Sequence, residues 1–383
     1  MMNCGSMVMH VRMCALVIVA SCGPFSAIAQ YAGWVEQPVP GPSPRQNHAM
    51  AYDGQSLMLF AGYNAALGLN NETWLWDGAG WTQSAPVGPP QARSVHKMAY
   101  NSTSGKVILF GGGLGGGDAL DDTWEWDGAA GTWTQLFPAN SPAARYNHAM
   151  AYDAARNQIV LFGGYGPGGR YGDTWVFDGN DWTQLAPANS PAPRNGHAMV
   201  YDAARQVVVL FGGYPGWTND TWEWDGTDWT LSPAEGPPGR QYLGMAYHSD
   251  YGVTIMSCGQ MAGGVRAEDT WEYDGTSWTE LTVVPPGIRD QHVLAYFPDR
   301  MHMVLHGGYA GGGGVLEDTW ILTCCAGDLD GDGDTDHSDL GILLADWGCV
   351  GSEPGDCPGD LDGDFDTDHS DLGILLGDWG CGT

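Results

Sequence analysis

The stretch QVVVLFGGY at residues 206–214, followed by NDTWEWDGTDWTLS at 219–232, decides the fold. An apolar, β-branched run that ends at Gly-Gly is typical of a buried strand that stops at a tight turn. The segments TWEW and WTLS, which are separated by the turn sequence DGTD, predict two further strands. With the alternating strand AMVYD at residues 198–202 ahead of them, these segments make one unit of four short strands.

The same unit is repeated along the chain. The dipeptide Thr-Trp recurs at intervals of 50, 51, 47, 49 and 49 residues. Its six positions begin at Thr73, Thr123, Thr174, Thr221, Thr270 and Thr319. Four strands in a period of about 49 residues are the signature of a propeller blade. We therefore predict an all-β, six-bladed β-propeller.

The repeats resemble those of the kelch family. The resemblance rests on NQIVLFGGY with GDTWVFDGNDWTQL in the third unit and on the two segments quoted above in the fourth. It covers residues 30–323, which we assign to the propeller domain. The resemblance implies the kelch-type fold of the propeller.

The two ends of the repeat region are complementary. Trp34 precedes Arg45 by the same distance, within one residue, as Trp81 and Trp182 precede the arginine that follows each of them. The last unit runs from DTWIL directly into Cys324 and lacks its own WTQL-like strand. We expect the amino-terminal strand to complete the last blade, because an incomplete ring would expose a strand edge.

The composition excludes some classes of function. The chain of 383 residues has 45 acidic and 14 basic residues, a formal charge of -31. Nucleic acid and anionic membranes repel such a charge, so a nucleic-acid partner is not expected. Because Gly (59) and Trp (18) are abundant while Lys and Glu are few, the composition also favours short strands and tight turns over helices.

Residues 1–29 have the pattern of a secretory signal peptide. The apolar run MCALVIVA precedes small residues at Ala27 and Ala29. The run is too short to cross a membrane, and no later segment is long enough, so we predict no transmembrane segment and a secreted or cell-surface protein. The segment VASC, which ends at Cys22, resembles a bacterial lipobox, and the alternative is a lipoprotein anchored at Cys22.

Six cysteines follow the predicted signal peptide, an even number that suggests disulfides in an exported protein. Five of them lie in the last 60 residues, where they bracket two copies of one motif. Bridges within each copy, Cys325 to Cys349 and Cys357 to Cys381, are the first expectation, and a clasp between the copies is the second.

The bracketed motifs are DLDGDGDTDHSD at 328–339 and DLDGDFDTDHSD at 360–371. Oxygens at loop positions one, three, five, seven, nine and twelve can wrap a calcium ion in one turn of chain. We therefore predict two calcium ions as cofactors. The ligands are Asp328, Asp330, Asp332, Asp334, Asp336 and Asp339 in the first loop and Asp360, Asp362, Asp364, Asp366, Asp368 and Asp371 in the second.

The tandem loops, each followed by LGILL and DWGC, resemble a type I dockerin over residues 326–383. The resemblance implies a small α-helical, EF-hand-type module with a cohesin-like partner or an envelope protein as its target. The docking surface that it implies is formed by His337, Ser338, His369 and Ser370. The segment carries 16 acidic residues and no Lys or Arg, so calcium should be needed for it to fold.

The propeller repeats also supply candidate ligand-binding residues. Six arginines begin the innermost strands and would surround one mouth of the axial channel, namely Arg45, Arg93, Arg145, Arg194, Arg240 and Arg289. A ring of cations could bind an acidic ligand, whereas strict repetition favours a structural role in every blade. Trp217 and Tyr242 break the repeat pattern, and exposed aromatic rings at that mouth could stack on sugars.

These features favour an exported, non-catalytic binding protein whose propeller recognises an extracellular ligand such as a polysaccharide. The alternative is a propeller enzyme, of the glycoside hydrolase or lyase type, or an accessory subunit of a polysaccharide-degrading assembly. Five repeats have an acid after the third strand, namely Asp77, Asp127, Asp178, Asp225 and Asp274. We expect these acids to cap turns rather than to form a catalytic pair. An aromatic rim would indicate a binder, and two ionisable residues meeting at the mouth would indicate an enzyme.

Overall fold

A computed structural model of the protein describes residues 31, 33–64, 66–312 and 314–323, together with positions 340, 341, 343, 344 and 372. The signal peptide, Cys22, both calcium loops, the docking residues and the cysteines of the two motifs lie outside the described residues. The five described positions beyond residue 323 are helical. Within the described part of the chain, no helix is both long enough and apolar enough to cross a membrane.

The propeller consists of six four-stranded antiparallel sheets. The innermost strands are Ala49–Tyr52, Lys97–Asn101, Ala149–Asp153, Ala198–Asp202, Gly244–His248 and Val293–Phe297. The second strands are Leu57–Asn64, Lys106–Gly113, Gln158–Phe162, Val207–Phe211, Val253–Ser257 and His302–Gly311. The third strands are Gly68–Trp76, Ala119–Asp127, Thr174–Phe177, Thr221–Trp224, Thr270–Tyr273 and Gly314–Thr323. The outer strands are Trp81–Ser84, Thr132–Leu136, Trp182–Leu185, Trp229–Leu231, Trp278–Glu280 and Gly33–Glu36.

The propeller also contains short strands and turns outside the six sheets. The strand pairs Tyr165–Gly166 with Gly169–Arg170 and Arg240–Gln241 with Gln260–Met261 lie in or beside the loops between second and third strands. Single 3-10 turns occupy Ala262–Gly264 and Pro298–Arg300. The innermost strand of each blade contacts that of the next, and the sixth contacts the first, so the ring is closed.

The amino-terminal strand closes the ring, which confirms the prediction from the two ends of the repeat. Gly33–Glu36 pairs antiparallel with the third strand of blade six, with Trp34 opposite Leu322. The indole Nε1 of Trp34 donates a hydrogen bond to Thr270 Oγ1 of blade five over 2.9 Å. The last blade therefore has no open edge on that side.

The tryptophan of the outer strand links each blade to the one before it. Its Nε1 donates to the threonine hydroxyl of the preceding Thr-Trp dipeptide at all six interfaces, over 2.8–3.3 Å. All six indoles are buried, and four of them pack on the phenylalanine of the preceding second strand, as Trp182 does on Phe110. Trp81 packs on His306 at the equivalent position. A buried indole needs a partner for its N–H, and the repeated Thr-Trp dipeptide supplies one.

The Gly-Gly that ends the second strand in four of the six blades lets neighbouring blades approach closely. A Cβ on Gly163, which has φ +66°, would lie 2.6 Å from the carbonyl oxygen of Arg194 in the next blade. Ala61 and Cys258 hold the equivalent position in blades one and five, with φ 60° and 53°. Cys258 is buried, has no disulfide partner among the described residues, and its pKa is raised to about 12 by burial, so this thiol is a packing residue.

Candidate ligand-binding site

A closed ring of backbone hydrogen bonds surrounds the propeller axis at the face that carries the loops between second and third strands. In each blade the N–H of the second residue after the arginine donates to the carbonyl of its counterpart in the preceding blade, over 2.8–3.0 Å. All six residues have positive φ, and they are Asn47, Val95, Asn147, Gly196, Tyr242 and Gln291. The ring fixes the positions from which side chains reach this mouth.

The six arginines are buried links within their blades. Arg145 is fully buried; its guanidinium forms a bidentate pair with Asp173 over 2.7 and 2.9 Å and donates to the carbonyl oxygen of Gly163. The same bidentate pairing joins four other arginines to Asp122, Asp220, Asp269 and Asp318. In blade one, Arg45 donates from one nitrogen to Glu72 and from another to Asn70. The expectation of a ring of cations open to a ligand is therefore corrected in favour of the structural alternative.

The carboxylate of Asp173 is held ionised by its pairing with Arg145. Burial alone would raise the pKa of Asp173, but the hydrogen bonds from Arg145 and from Trp175 Nε1 outweigh burial and hold the pKa below its usual range. In each Asp-Thr-Trp or Glu-Thr-Trp motif, the acid therefore binds the arginine and accepts a hydrogen bond from the indole of the same motif. The threonine accepts the indole N–H of the next blade. That threefold role accounts for the repetition of the motif.

The histidines three residues after the arginines are packing groups as well. His96, His148 and His197 meet the phenylalanine of the preceding blade edge-on, with ring centroids 5.6 Å apart. Burial lowers their pKa well below the ordinary value, so the rings are neutral at physiological pH. They bring no charge to the mouth.

The symmetry is broken at the mouth over blades three to five. A cleft of about 400 Å³ opens there, within the volume range of about 300–1,000 Å³ that is usual for sites of organic ligands. We name this the mouth cleft; it is lined by Tyr146, Asn147, Tyr165, Arg170, Asn195, Tyr214, Gln241 and Tyr242. Four aromatic rings, three amides and one guanidinium thus face one space.

Arg170 is fixed at the centre of this arrangement. Its guanidinium carbon lies 4.5 Å from the ring centroid of Tyr214 and 5.7 Å from that of Tyr165. Its Nε donates to Asn195 Oδ1 over 3.0 Å. Cation–π stacking on two rings and one hydrogen bond hold the guanidinium plane in place and leave its two terminal nitrogens available to a ligand.

The two candidate aromatics of the sequence analysis have different places. Tyr242 lines the mouth cleft, and its ring lies over Gly196, where a Cβ would come within 3.0 Å of the ring. Trp217 lies behind the cleft and meets Tyr214 edge-on at 5.4 Å, so it supports a lining residue. Gly196, the one glycine of the backbone ring, therefore makes room for the ring of Tyr242.

Sequence reasoning missed the tyrosines and amides that line the rest of the mouth cleft. Tyr146 and Asn195 directly follow the blade arginines, while Tyr165 and Tyr214 directly follow Gly-Gly, and the two positions pair across each blade. In chain order these pairs are Gln46 with Tyr63, Ser94 with Gly113, Tyr146 with Tyr165, Asn195 with Tyr214, Gln241 with Gln260 and Asp290 with Tyr309. Only the pair of blade three has two aromatic residues, which is the one signal in these positions that the sequence offers.

Two ionisable residues also meet near the mouth, in blades five and six. Arg266 Nε lies 2.9 Å from Asp290 Oδ2, and its guanidinium lies over the ring of Tyr309 at 4.6 Å. Burial raises the pKa of Asp290, and Arg266 opposes that shift. The two charges neutralise each other, and neither residue lines the mouth cleft.

The acids that recur after the third strands cap turns, as predicted. Asp178 Oδ1 accepts the backbone N–H groups of Asn180 and Asp181 over 2.8 and 2.9 Å. Asp77, Asp225 and Asp274 make the same pair of bonds. These bonds lower the pKa of Asp178, which suits a turn acceptor and not a general acid.

The fold and the repeats define a kelch-repeat propeller. The family model described as the KLHDC2/KLHL20/DRC7 Kelch-repeats domain matches residues 77–251 and 137–284, which together span more than half of the chain. The chain belongs to this kelch-repeat family. Membership indicates a binding or protein-interaction role.

Curated relatives share part of the propeller. An F-box/kelch-repeat protein of Arabidopsis thaliana is 31% identical over 153 residues, covering 36% of this chain and 31% of that protein. The dynein alpha chain of the flagellar outer arm of Chlamydomonas reinhardtii is 33% identical over 153 residues, covering 36% and 3%. This chain therefore spans a third or less of the length of those relatives.

Among solved structures, that of YjhT is similar in fold. It superposes with a TM-score of 0.58 over 74% of this chain and 96% of YjhT, at 16% sequence identity. At that identity the likeness concerns the propeller fold alone.

Proposed function

We propose that this protein is an exported, non-catalytic binding protein whose propeller binds a carbohydrate in the mouth cleft. The observation that carries the proposal is the gathering of four tyrosines, three amides and the fixed guanidinium of Arg170 around one cleft at the mouth of the propeller. Aromatic faces stack on the apolar faces of sugars, and planar amide and guanidinium groups pair with adjacent hydroxyls.

A binder fits the cleft better than a hydrolase does. Glycoside hydrolysis uses two carboxyl groups about 5–9.5 Å apart. None of the eight described residues that line the mouth cleft is an acid. The carboxylate of Asp290 is already paired with Arg266. An enzyme or an accessory subunit of a polysaccharide-degrading assembly is the second candidate, which the tail favours through its resemblance to a dockerin.

The second part of the proposed function concerns the carboxyl-terminal tail. We infer that residues 326–383 bind two calcium ions through the twelve aspartates named above and dock to a cohesin-like or envelope protein. The support is the sequence alone: two loops of identical register with oxygen donors at the positions that calcium requires. Secretion through the signal peptide, or lipidation at Cys22, would place both modules outside the cytoplasm.

Tyr214→Ala should weaken carbohydrate binding about tenfold. The substitution removes a lining ring and also the platform on which Arg170 stacks, and an aromatic contact contributes about 0.5–1.5 kcal/mol beyond its buried area. The measurement is a glycan array with the full protein to find the ligand, followed by titration calorimetry with that glycan, each in calcium and in chelator.

Tyr63→Ala is the matched control, because Tyr63 occupies the position of Tyr214 in blade one, outside the mouth cleft. Its affinity should equal that of the wild type. Equal losses in both variants, or binding that disappears with chelator, would move the site away from the cleft. If no glycan binds, a protein partner is expected instead, and the calcium-loaded tail would serve as the bait to capture it.

The double variant Asp328→Ala with Asp360→Ala should abolish calcium binding and leave the propeller folded. Position one of each loop supplies a ligand oxygen, whereas the propeller is closed by its own amino-terminal strand. Calcium titration measures whether calcium binding is lost, and thermal unfolding measures whether the propeller stays folded. Asp121→Ala, at an exposed propeller acid, is the control, and unchanged calcium binding in the double variant would refute the loop assignment.

A further inference from the structure

Lys97 differs in charge and size from the residues at the same position in the other repeats. It is one of only two lysines in the chain. The equivalent residues of the other five innermost strands are small or apolar, namely Ala49, Ala149, Ala198, Gly244 and Val293. All six positions line the larger cavity of the axial channel, inside the ring of backbone hydrogen bonds. Lys97 alone among them also lines the smaller cavity.

The channel around Lys97 is narrow, and its wall combines apolar side chains with polar groups. The two cavities measure about 100 and 30 Å³, well below the volume of sites for organic ligands. The larger one is walled by the residue that follows the Lys97 position in each blade, namely Met50, Met98, Met150, Met199, Met245 and Leu294. Such a space holds a few water molecules or one small ion.

The charge of Lys97 has no partner among the described residues. The chain's other lysine, Lys106, pairs with Asp127, whereas Lys97 forms no ion pair or hydrogen bond with any described residue. None of the described residues that line the two cavities is an acid. Partial burial lowers the pKa of Lys97. An ammonium in a narrow channel without an acidic neighbour lacks a counter-ion, so an anion from solution gains free energy beside it.

We propose that the axial channel binds one small anion, of halide or formate size, at the ammonium group of Lys97. This site is separate from the mouth cleft and does not depend on the proposed carbohydrate ligand. The bound anion would connect innermost strands of several blades through one charge at the axis. Its binding would therefore stabilise the closed ring in proportion to anion concentration.

Bromide is a suitable probe because it is small and can be located by its anomalous scattering. We expect the melting temperature of the full chain, relative to that of Lys97→Met, to rise by about 3–5 °C when gluconate is replaced by bromide at ten times its dissociation constant. Constant ionic strength equalises screening between the two salts. In bromide-soaked crystals, an anomalous peak should lie within contact distance of Lys97 Nζ.

Lys97→Met keeps the length of the side chain and removes its charge, and it should be at least as stable as the wild type in gluconate. Lys106→Met, which removes the surface lysine, should respond to bromide as the wild type does. Equal responses of the wild type and Lys97→Met would overturn the proposal, as would an anomalous map without a peak in the channel. A variant that fails to fold would leave the crystallographic result to decide.

Discussion

Trp34→Ala should lower the free energy of unfolding of the propeller by about 3–5 kcal/mol, the range for removing a buried tryptophan. Trp34 lies in the only strand that joins the two ends of the ring, and it is 6% exposed. Its loss would leave a cavity against Leu322 and remove the hydrogen bond to Thr270 Oγ1. Urea unfolding followed by tryptophan fluorescence and circular dichroism measures the change.

Trp182→Ala is the matched variant, because Trp182 occupies the same position in blade three and donates the same hydrogen bond, to Thr123. The two variants should lose similar stability if the closing strand is as firmly packed as an internal one. A change below about 1 kcal/mol for Trp34→Ala, beside a full loss for Trp182→Ala, would mean that the closing strand is dispensable.

Arg145→Met should destabilise the propeller by about 3 kcal/mol. The substitution removes a fully buried guanidinium and leaves the carboxylate of Asp173, which is 20% exposed, without its bidentate partner. The carbonyl oxygens of Gly163 and Ala143 also lose their side-chain donor. Removing one member of such a pair costs more than the pair itself contributes, because the other member stays desolvated.

Lys106→Met is the control. Lys106 pairs with Asp127, and because the two side chains are 25% and 30% exposed, water can solvate the carboxylate when the lysine is removed. Its loss should cost less than about 1 kcal/mol. Equal urea midpoints for the two variants would show that the arginine network contributes no more than a surface ion pair, and the structural role assigned to the six arginines would then be untenable.

Much of the fold could be predicted because the propeller is a repeat. Each blade buries the same positions against its neighbour, so the Thr-Trp spacing shows the number of blades, and the orphan Trp34 shows how the ring closes. The turn role of Asp178 could also be predicted, since an Asx turn involves only neighbouring residues. The calcium loops and the export signal remain predictions from the sequence.

The candidate site could be predicted only in part. Tyr242 was found because it breaks the pattern next to Arg240, whereas Tyr146 and Tyr214 lie 68 residues apart and look unremarkable in their own repeats. The arginines looked like a ring of available charge, because the sequence does not show that Asp173, 28 residues after Arg145, folds back to meet it. Side-chain pairing across a sheet depends on register, which is set by the whole blade.

The sequence by itself determined the all-β class, the six blades, the closing strand and the turn acids, because each follows from short-range patterns that are repeated six times. Only the tertiary structure decided that the arginines are buried and paired, that the aromatic residues of blades three to five share one cleft, and that Lys97 enters the axial channel. Those properties depend on which side chains meet after residues far apart in sequence have been brought around a common axis. The distances between these side chains and their burial are set only by folding. They determine whether a charge is paired within the protein or available to a ligand.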